Sequence, residues 1–189
     1  MRRAIVAVVF AAAAMLKADA AAADERLAVC VTCHGEKGQS ETPQIPSLGA
    51  QTAPYSLIQL YLFREKQRPS EVMINAAQGL TDDDLRLLSD LIAKLPPPVP
   101  PQEPPDETRM TRGRALATQN RCGFCHNPDF AGRDNVPRLA AQREDYLVKA
   151  LREYKSNARP GYDASMAEVV AVLDDAAMTD LAYFFAHVR

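Results

Sequence analysis

Apolar residues recur at helical spacing along most of this chain, and no segment alternates in the way that predicts a β-strand. Tyr146, Leu147, Ala150, Leu151 and Tyr154 stand three or four positions apart and predict a helix over 146–155. A similar stretch predicts one over 55–66. Leu85, Leu88, Leu91, Ile92 and Leu95 form a single stripe behind Thr81-Asp82-Asp83-Asp84, an acidic capping-box start. A second stripe, Met178, Leu181, Phe184, Phe185 and Val188, follows Asp174 and Asp175, either of which can cap it. The chain opens on a different pattern. Two arginines precede an apolar run over 4–16, too short to span a bilayer, and Ala18-Asp19-Ala20 offers small residues for cleavage. Residues 1–20 read as a secretory signal peptide, cut somewhere within 20–23.

The pattern repeats. When the chain is laid on itself with a shift of 91–93 positions, Pro46, Leu48, Gln51 and Tyr55 fall on Pro137, Leu139, Gln142 and Tyr146. Arg68-Pro69 falls on Arg159-Pro160, Met73 on Met166, and the two C-terminal stripes on each other. Such self-similarity marks a tandem duplication. Between the copies, residues 96–106 hold seven of the 14 prolines. Proline fixes φ and lacks an N–H, so this stretch predicts an extended, semi-rigid spacer. The expected organisation is a signal peptide over 1–20, one module over 21–95, a linker over 96–106 and a second module over 107–189. Each module is small for a self-sufficient core. The 47% hydrophobic content predicts a globular chain, yet aromatic residues make up 6% and Trp is absent. That combination leaves the centre of each module to something other than side chains.

The repeated chemistry supplies it. Cys30-Val31-Thr32-Cys33-His34 and Cys122-Gly123-Phe124-Cys125-His126 are both C-x-x-C-H, the attachment signal for c-type haem. Each cysteine thiol adds to a haem vinyl group, and His34 or His126 supplies the fifth iron ligand. Two rival readings use the same cysteines. A thioredoxin-like redox pair needs a βαβ setting, and none is visible. A four-cysteine zinc site usually spaces its pairs about 15–20 residues apart, whereas 88 residues separate Cys33 from Cys122. Zinc also gives no reason for a histidine after each second cysteine.

A low-spin carrier needs a sixth ligand. Met73 and Met166 lie 39 and 40 residues after their histidines, in register, and are expected in loops between helices. Met178 belongs to a helix stripe and reads as core, Met110 as packing on a short helix, and His187 as a helix-end residue. His/Met ligation raises the reduction potential. Pro46 and Pro137 occupy matching positions after the histidines, where a carbonyl can accept the Nδ1–H of the haem ligand and orient it. Arg68 and Arg159 are candidates for haem propionates, or else solvated.

The doubled C-x-x-C-H, the doubled P-x-L-x-x-Q-x-x-x-Y, the doubled Arg-Pro before a methionine and the doubled C-terminal helix together resemble the di-haem cytochrome c4 family, over almost all of the mature chain. The resemblance implies an all-α fold of two tandem class I cytochrome c domains about a pseudo-twofold axis. It implies two covalent haem c groups and a periplasmic electron carrier, often feeding terminal oxidases. Similar chains serve as the haem subunit of flavocytochrome c sulfide dehydrogenase. Two features depart from the family pattern: little sequence precedes Cys30, and the linker is unusually rich in proline.

Charge bears on partners. Residues 21–95 carry 7 basic and 10 acidic side chains, and residues 107–189 carry 12 and 11, so the halves differ in sign. Such asymmetry steers a redox partner toward one half, and no basic patch points to nucleic acid. The expected partners are a terminal oxidase, a membrane cytochrome complex or a flavoprotein dehydrogenase, with room for peripheral contact at a membrane. Three functions stay open: a free carrier that breaks no substrate bond, a haem subunit of a dehydrogenase, and a di-haem peroxidase. The last needs an open haem site, which matched methionines and the lack of a spare distal histidine disfavour.

Overall fold

A computed structural model describes residues 25–159 and 164–188. The expected signal peptide over 1–20 and Pro160 lie outside the described residues. The described chain is helical, with one isolated β-bridge between Arg133 and Val136. Among the described residues, no helix is long and apolar enough to cross a membrane.

The first half begins with a helix over residues 25–34, α1, which carries the whole first C-x-x-C-H. It continues with α2 (Ala53–Arg64), α3 (Glu71–Ala77) and α4 (Asp82–Lys94). The second half runs through α5 (Glu107–Gln119), α6 (Cys122–His126), α7 (Glu144–Lys155), α8 (Ser165–Ala171) and α9 (Asp175–His187). The closely packed helix pairs all lie within one half, chiefly α2 on α4, and α9 on α5 and α7. The predicted caps form: Thr81 and Asp84 exchange side-chain and backbone hydrogen bonds at 3.2 and 2.9 Å. In the second half it is Asp174 that caps, accepting from the Ala177 N–H at 2.7 Å.

Where α5 crosses α9 the backbones touch. A Cβ on Gly113 would lie 2.4 Å from the Asp180 carbonyl oxygen and 2.5 Å from Phe184 Cβ, so only glycine permits this approach. Arg112 locks the crossing with two hydrogen bonds to the Asp180 carboxylate. Around it Leu147, Val170, Met178, Leu181 and Phe185 form the core of the second half. Leu60, Leu85 and Leu88 form the corresponding cluster of the first. Met178 is core, as its stripe predicts, and Met110 packs against the same cluster from a longer helix than expected.

Three sequence expectations change. Met73 and Met166 are not in loops: they sit in the first turns of α3 and α8. Seven-residue helices are too short to show a period, and Ser70 caps α3 by accepting from Met73 N–H at 3.5 Å. Helix α2 starts at Ala53, two residues early, because Pro54 fits the first turn of a helix. It stops at Arg64 because Lys66 turns left-handed, at φ 57°. The linker has no regular structure, as its prolines require, but it is fastened rather than free. The Gln39 amide bridges both the N–H and the C=O of Val99 at 3.1 Å, and Asp106 N–H donates to the Tyr183 hydroxyl at 2.6 Å.

Candidate haem sites and the boundary between them

In both halves a tight loop follows the histidine. Gly38 O accepts from the N–H groups of Leu48 and Gly49, and Phe130 O accepts from those of the matching Leu139 and Ala140. The next residues, Ala50 and Ala141, are both left-handed, at φ 49° and 56°. This shared loop carries each proline back to its histidine. Pro46 O lies 2.8 Å from His34 Nδ1, and Pro137 O lies 2.8 Å from His126 Nδ1. A carbonyl only accepts, so Nδ1 carries the proton and Nε2 is left as the lone-pair nitrogen. Both imidazoles are buried. Burial lowers their pKa, partly opposed by the carbonyl, which keeps them neutral and able to ligate.

No two of the four cysteines are joined. Cys30 and Cys122 are half-buried against the apolar clusters, while Cys33 and Cys125 are exposed. Burial raises the thiol pKa at Cys30, and at Cys122 to about 11. Met73 packs on the cluster that Cys30 touches, and Met166 on the one that Cys122 touches. Each half thus sets one cysteine and a thioether on one apolar cluster, with an exposed second cysteine and a neutral histidine beside them in the same C-x-x-C-H. That donor set fits a thioether-linked haem. His187 takes no part: its Nδ1 is 2.8 Å from Tyr183 O, one turn back along α9.

Arg68 and Arg159 are not solvated. They are 9% and 3% exposed and lie on the boundary between the halves. Arg68 donates to Tyr146 and Gln59 at 3.1 and 2.7 Å. Arg159 donates to Tyr55 and Gln59 at 2.7 and 3.2 Å and reaches Tyr146 at 3.4 Å. Each guanidinium also stacks on an aromatic ring of its own half, Phe63 or Tyr154, at 4.5 and 4.8 Å. Neither is ion-paired among the described residues. Burial pushes the phenols up, and at Tyr55 it prevails, at about 12. At Tyr146 the charges of Arg159 and Arg68 outweigh burial and bring the phenol down to about 7. The two buried cations are held by neutral hydroxyl and amide partners, so their charge is left unneutralised among the described residues.

Sequence reasoning missed the rest of this boundary. Gln51 and Gln142 each insert a buried amide into the loop of the other half. Gln142 accepts from Ser47 N–H at 2.7 Å and donates to Ser47 O at 2.8 Å. Gln51 accepts from Arg138 N–H at 2.7 Å and donates to Arg138 O at 3.3 Å. Thr52 donates to Asp134 O at 2.7 Å, and Gln44 N–H to Asp145 at 2.9 Å. The repeat does match Gln51 with Gln142 at one register, but that match alone does not say which backbone groups they bind.

Comparison with known proteins gives one consistent picture. The Cytochrome c family model matches residues 110–189. The cytochrome c4 of Thiocapsa roseopersicina is 30% identical over 141 residues, which cover 69% of this chain and 71% of that protein. The thiosulfate dehydrogenase electron acceptor of Stutzerimonas stutzeri is 26% identical, over 84% of this chain and 78% of that protein. The crystal structure of reduced cytochrome c4 from Pseudomonas stutzeri superimposes with a TM-score of 0.81 at 24% identity, over 89% of this chain and 97% of that one. The shared fold is all-α, two tandem class I cytochrome c domains.

Proposed function

Because this chain belongs to the cytochrome c4 family of di-haem c-type electron-transfer proteins, we propose that it is a periplasmic carrier holding one haem c at Cys30 and Cys33 and the other at Cys122 and Cys125. The haem iron, alternating between Fe(III) and Fe(II), supplies the one-electron chemistry. The protein supplies fixed ligands and burial. His34 and His126 present Nε2 to the iron, with Pro46 and Pro137 orienting the rings. The pair of 2.8 Å Nδ1–carbonyl contacts carries this reading, because each falls on the histidine of a C-x-x-C-H and fixes the tautomer that leaves Nε2 able to ligate. Met73 and Met166, packed on the clusters that Cys30 and Cys122 touch, would supply the second iron ligand at each haem, and a neutral thioether there would favour Fe(II) and raise the potential. Arg68 and Arg159, buried and without an acidic partner among the described residues, would offer positive charge to haem propionates. Residues 21–95 and 107–189 form the two domains, with 96–106 as the fastened linker and 1–20 as the export signal.

Phe124, 77% exposed between Cys122 and Cys125, would offer a redox partner an apolar contact beside the second haem attachment site. The partner is a terminal oxidase or a membrane cytochrome complex. The likeness to a thiosulfate dehydrogenase electron acceptor favours a second reading, in which the chain serves a dehydrogenase, a flavoprotein among them, as its haem subunit.

A spectroelectrochemical titration of the haem-loaded protein tests the first reading, following the methionine–Fe(III) charge-transfer band. Two high-potential steps with the band present at each support it. A low-potential step without the band, together with peroxide turnover, moves the reading to an enzyme with an open haem. Stable co-purification with a dehydrogenase selects the subunit reading.

A further inference from the structure

The carbonyl that orients each histidine belongs to a peptide group that the other half holds. Pro46 C=O and Ser47 N–H are the two ends of one peptide unit. His34 Nδ1–H donates to its oxygen at 2.8 Å, and its N–H donates to Gln142 Oε1 at 2.7 Å. The same unit recurs in the other half: His126 Nδ1–H donates to Pro137 O at 2.8 Å, and Arg138 N–H donates to Gln51 Oε1 at 2.7 Å. The amide orientation is fixed by its surroundings. Gln142 Oε1 also accepts from Arg143 N–H and Gln51 Oε1 from Thr52 N–H, at 3.0 and 3.1 Å, so the oxygen must face the donors and the nitrogen the carbonyl. Both glutamines are about 6% exposed, which shields these bonds from water.

We propose that Gln51 and Gln142 are positioning residues for the haem histidine of the opposite half, so that the potential of each haem is set partly by a residue of the other domain. The inference rests on the reading of His34 and His126 as axial ligands. Its physical basis is polarisation along a hydrogen-bonded chain. An acceptor on the peptide N–H draws charge toward the carbonyl oxygen. A more negative oxygen pulls harder on Nδ1–H and makes the imidazole a more electron-rich ligand, which favours Fe(III). A residue of the second half thereby lowers the potential of the first haem, and the reverse. Separation of the halves removes both effects together, so docking and potential are linked.

The experiment is a crossed redox titration of the holoprotein, with each step assigned to its haem by NMR of the haem methyl groups. Gln142→Leu should raise the midpoint of the haem at Cys30 and Cys33 and leave the other unmoved. Gln51→Leu should do the converse. Thr52→Val removes a boundary hydrogen bond that touches no histidine peptide, and should move neither. A shift in the same half as the substitution, equal shifts at both haems, or no shift in a fully loaded variant would overturn the proposal. If a glutamine variant fails to load haem, amide exchange in the unsubstituted holoprotein decides: slower exchange of Ser47 and Arg138 N–H in the Fe(III) form supports the coupling, and equal rates in the two forms overturn it. A parent protein lacking histidine ligation at either haem removes the ligand reading itself. A histidine-ligated parent without crossed shifts removes only the coupling.

Discussion

The Arg68 guanidinium and the Tyr146 hydroxyl meet at 3.1 Å across the boundary between the halves, and Arg159 returns the contact to Tyr55 at 2.7 Å. Positions matched by the internal repeat therefore face each other, so one duplicated sequence builds both sides of its own interface. The match is not complete. Gln59, which accepts from both arginines, corresponds to Ala150 in the second copy. Replacing Arg159 by Leu removes charged hydrogen bonds from a buried site, and such bonds contribute about 1.5–3 kcal/mol each. The expected result is a loss of that order in the denaturant stability of the haem-loaded protein. If Arg159 holds a haem propionate as proposed, the potential of that haem should fall as well, since loss of a nearby cation disfavours Fe(II). A variant as stable as its parent would remove the arginine from any structural role at the boundary.

Met73→Ala and Met166→Ala separate the two haems. Each substitution deletes one thioether from the cluster that its first cysteine touches. One half of the methionine–Fe(III) band should disappear, that haem's potential should fall, and the vacated position should take up added imidazole. An unchanged spectrum in both variants would make the methionines packing residues, as Met178 is.

Gly113→Ala tests the crossing of α5 and α9. The added methyl would meet the Asp180 carbonyl oxygen at 2.4 Å, and the backbone cannot yield as a flexible side chain would. Overpacking of a tight contact costs roughly 1–3 kcal/mol. Thermal melting of the holoprotein should show the second half unfolding earlier. The iron ligands lie elsewhere, so the potentials should change little.

The sequence was legible where a residue type has one use. C-x-x-C-H admits few readings, and the prolines after it could be matched because they recur in register. The stripes of α4 and α9 were visible because 13 residues show several turns of period. Helices α3 and α8 were not, since seven residues give two turns at most and the methionines then look like loop residues. The boundary was illegible for another reason. Gln51 and Gln142 act on backbone groups of the other half, and a backbone peptide leaves no signature in side-chain spacing. Arg68 and Arg159 were seen but not placed, because an arginine in water and one buried at a boundary read alike.

Docking of the halves should depend on acid through Asp145. Its carboxylate accepts from Gln44 N–H across the boundary at 2.9 Å, from Arg143 at 2.9 and 3.0 Å, and from Tyr146 N–H at 2.8 Å. Burial alone would raise its pKa. The Arg143 guanidinium and the Gln44 N–H outweigh burial and hold it below the ordinary carboxylate value. In the unfolded chain the group titrates near the usual value of about 3.9. The native state therefore keeps the charge to a lower pH than the unfolded state does. Its stabilising contribution is complete above the unfolded pKa and is lost as pH falls through the native one. Asp145→Asn should lower the urea midpoint of the holoprotein at neutral pH, and its difference from the parent should shrink as pH falls through the native pKa. Other groups titrate in both proteins alike, so the difference between the two curves isolates Asp145. A difference that stays constant with pH would assign the contact to the shape of the side chain and not to its charge.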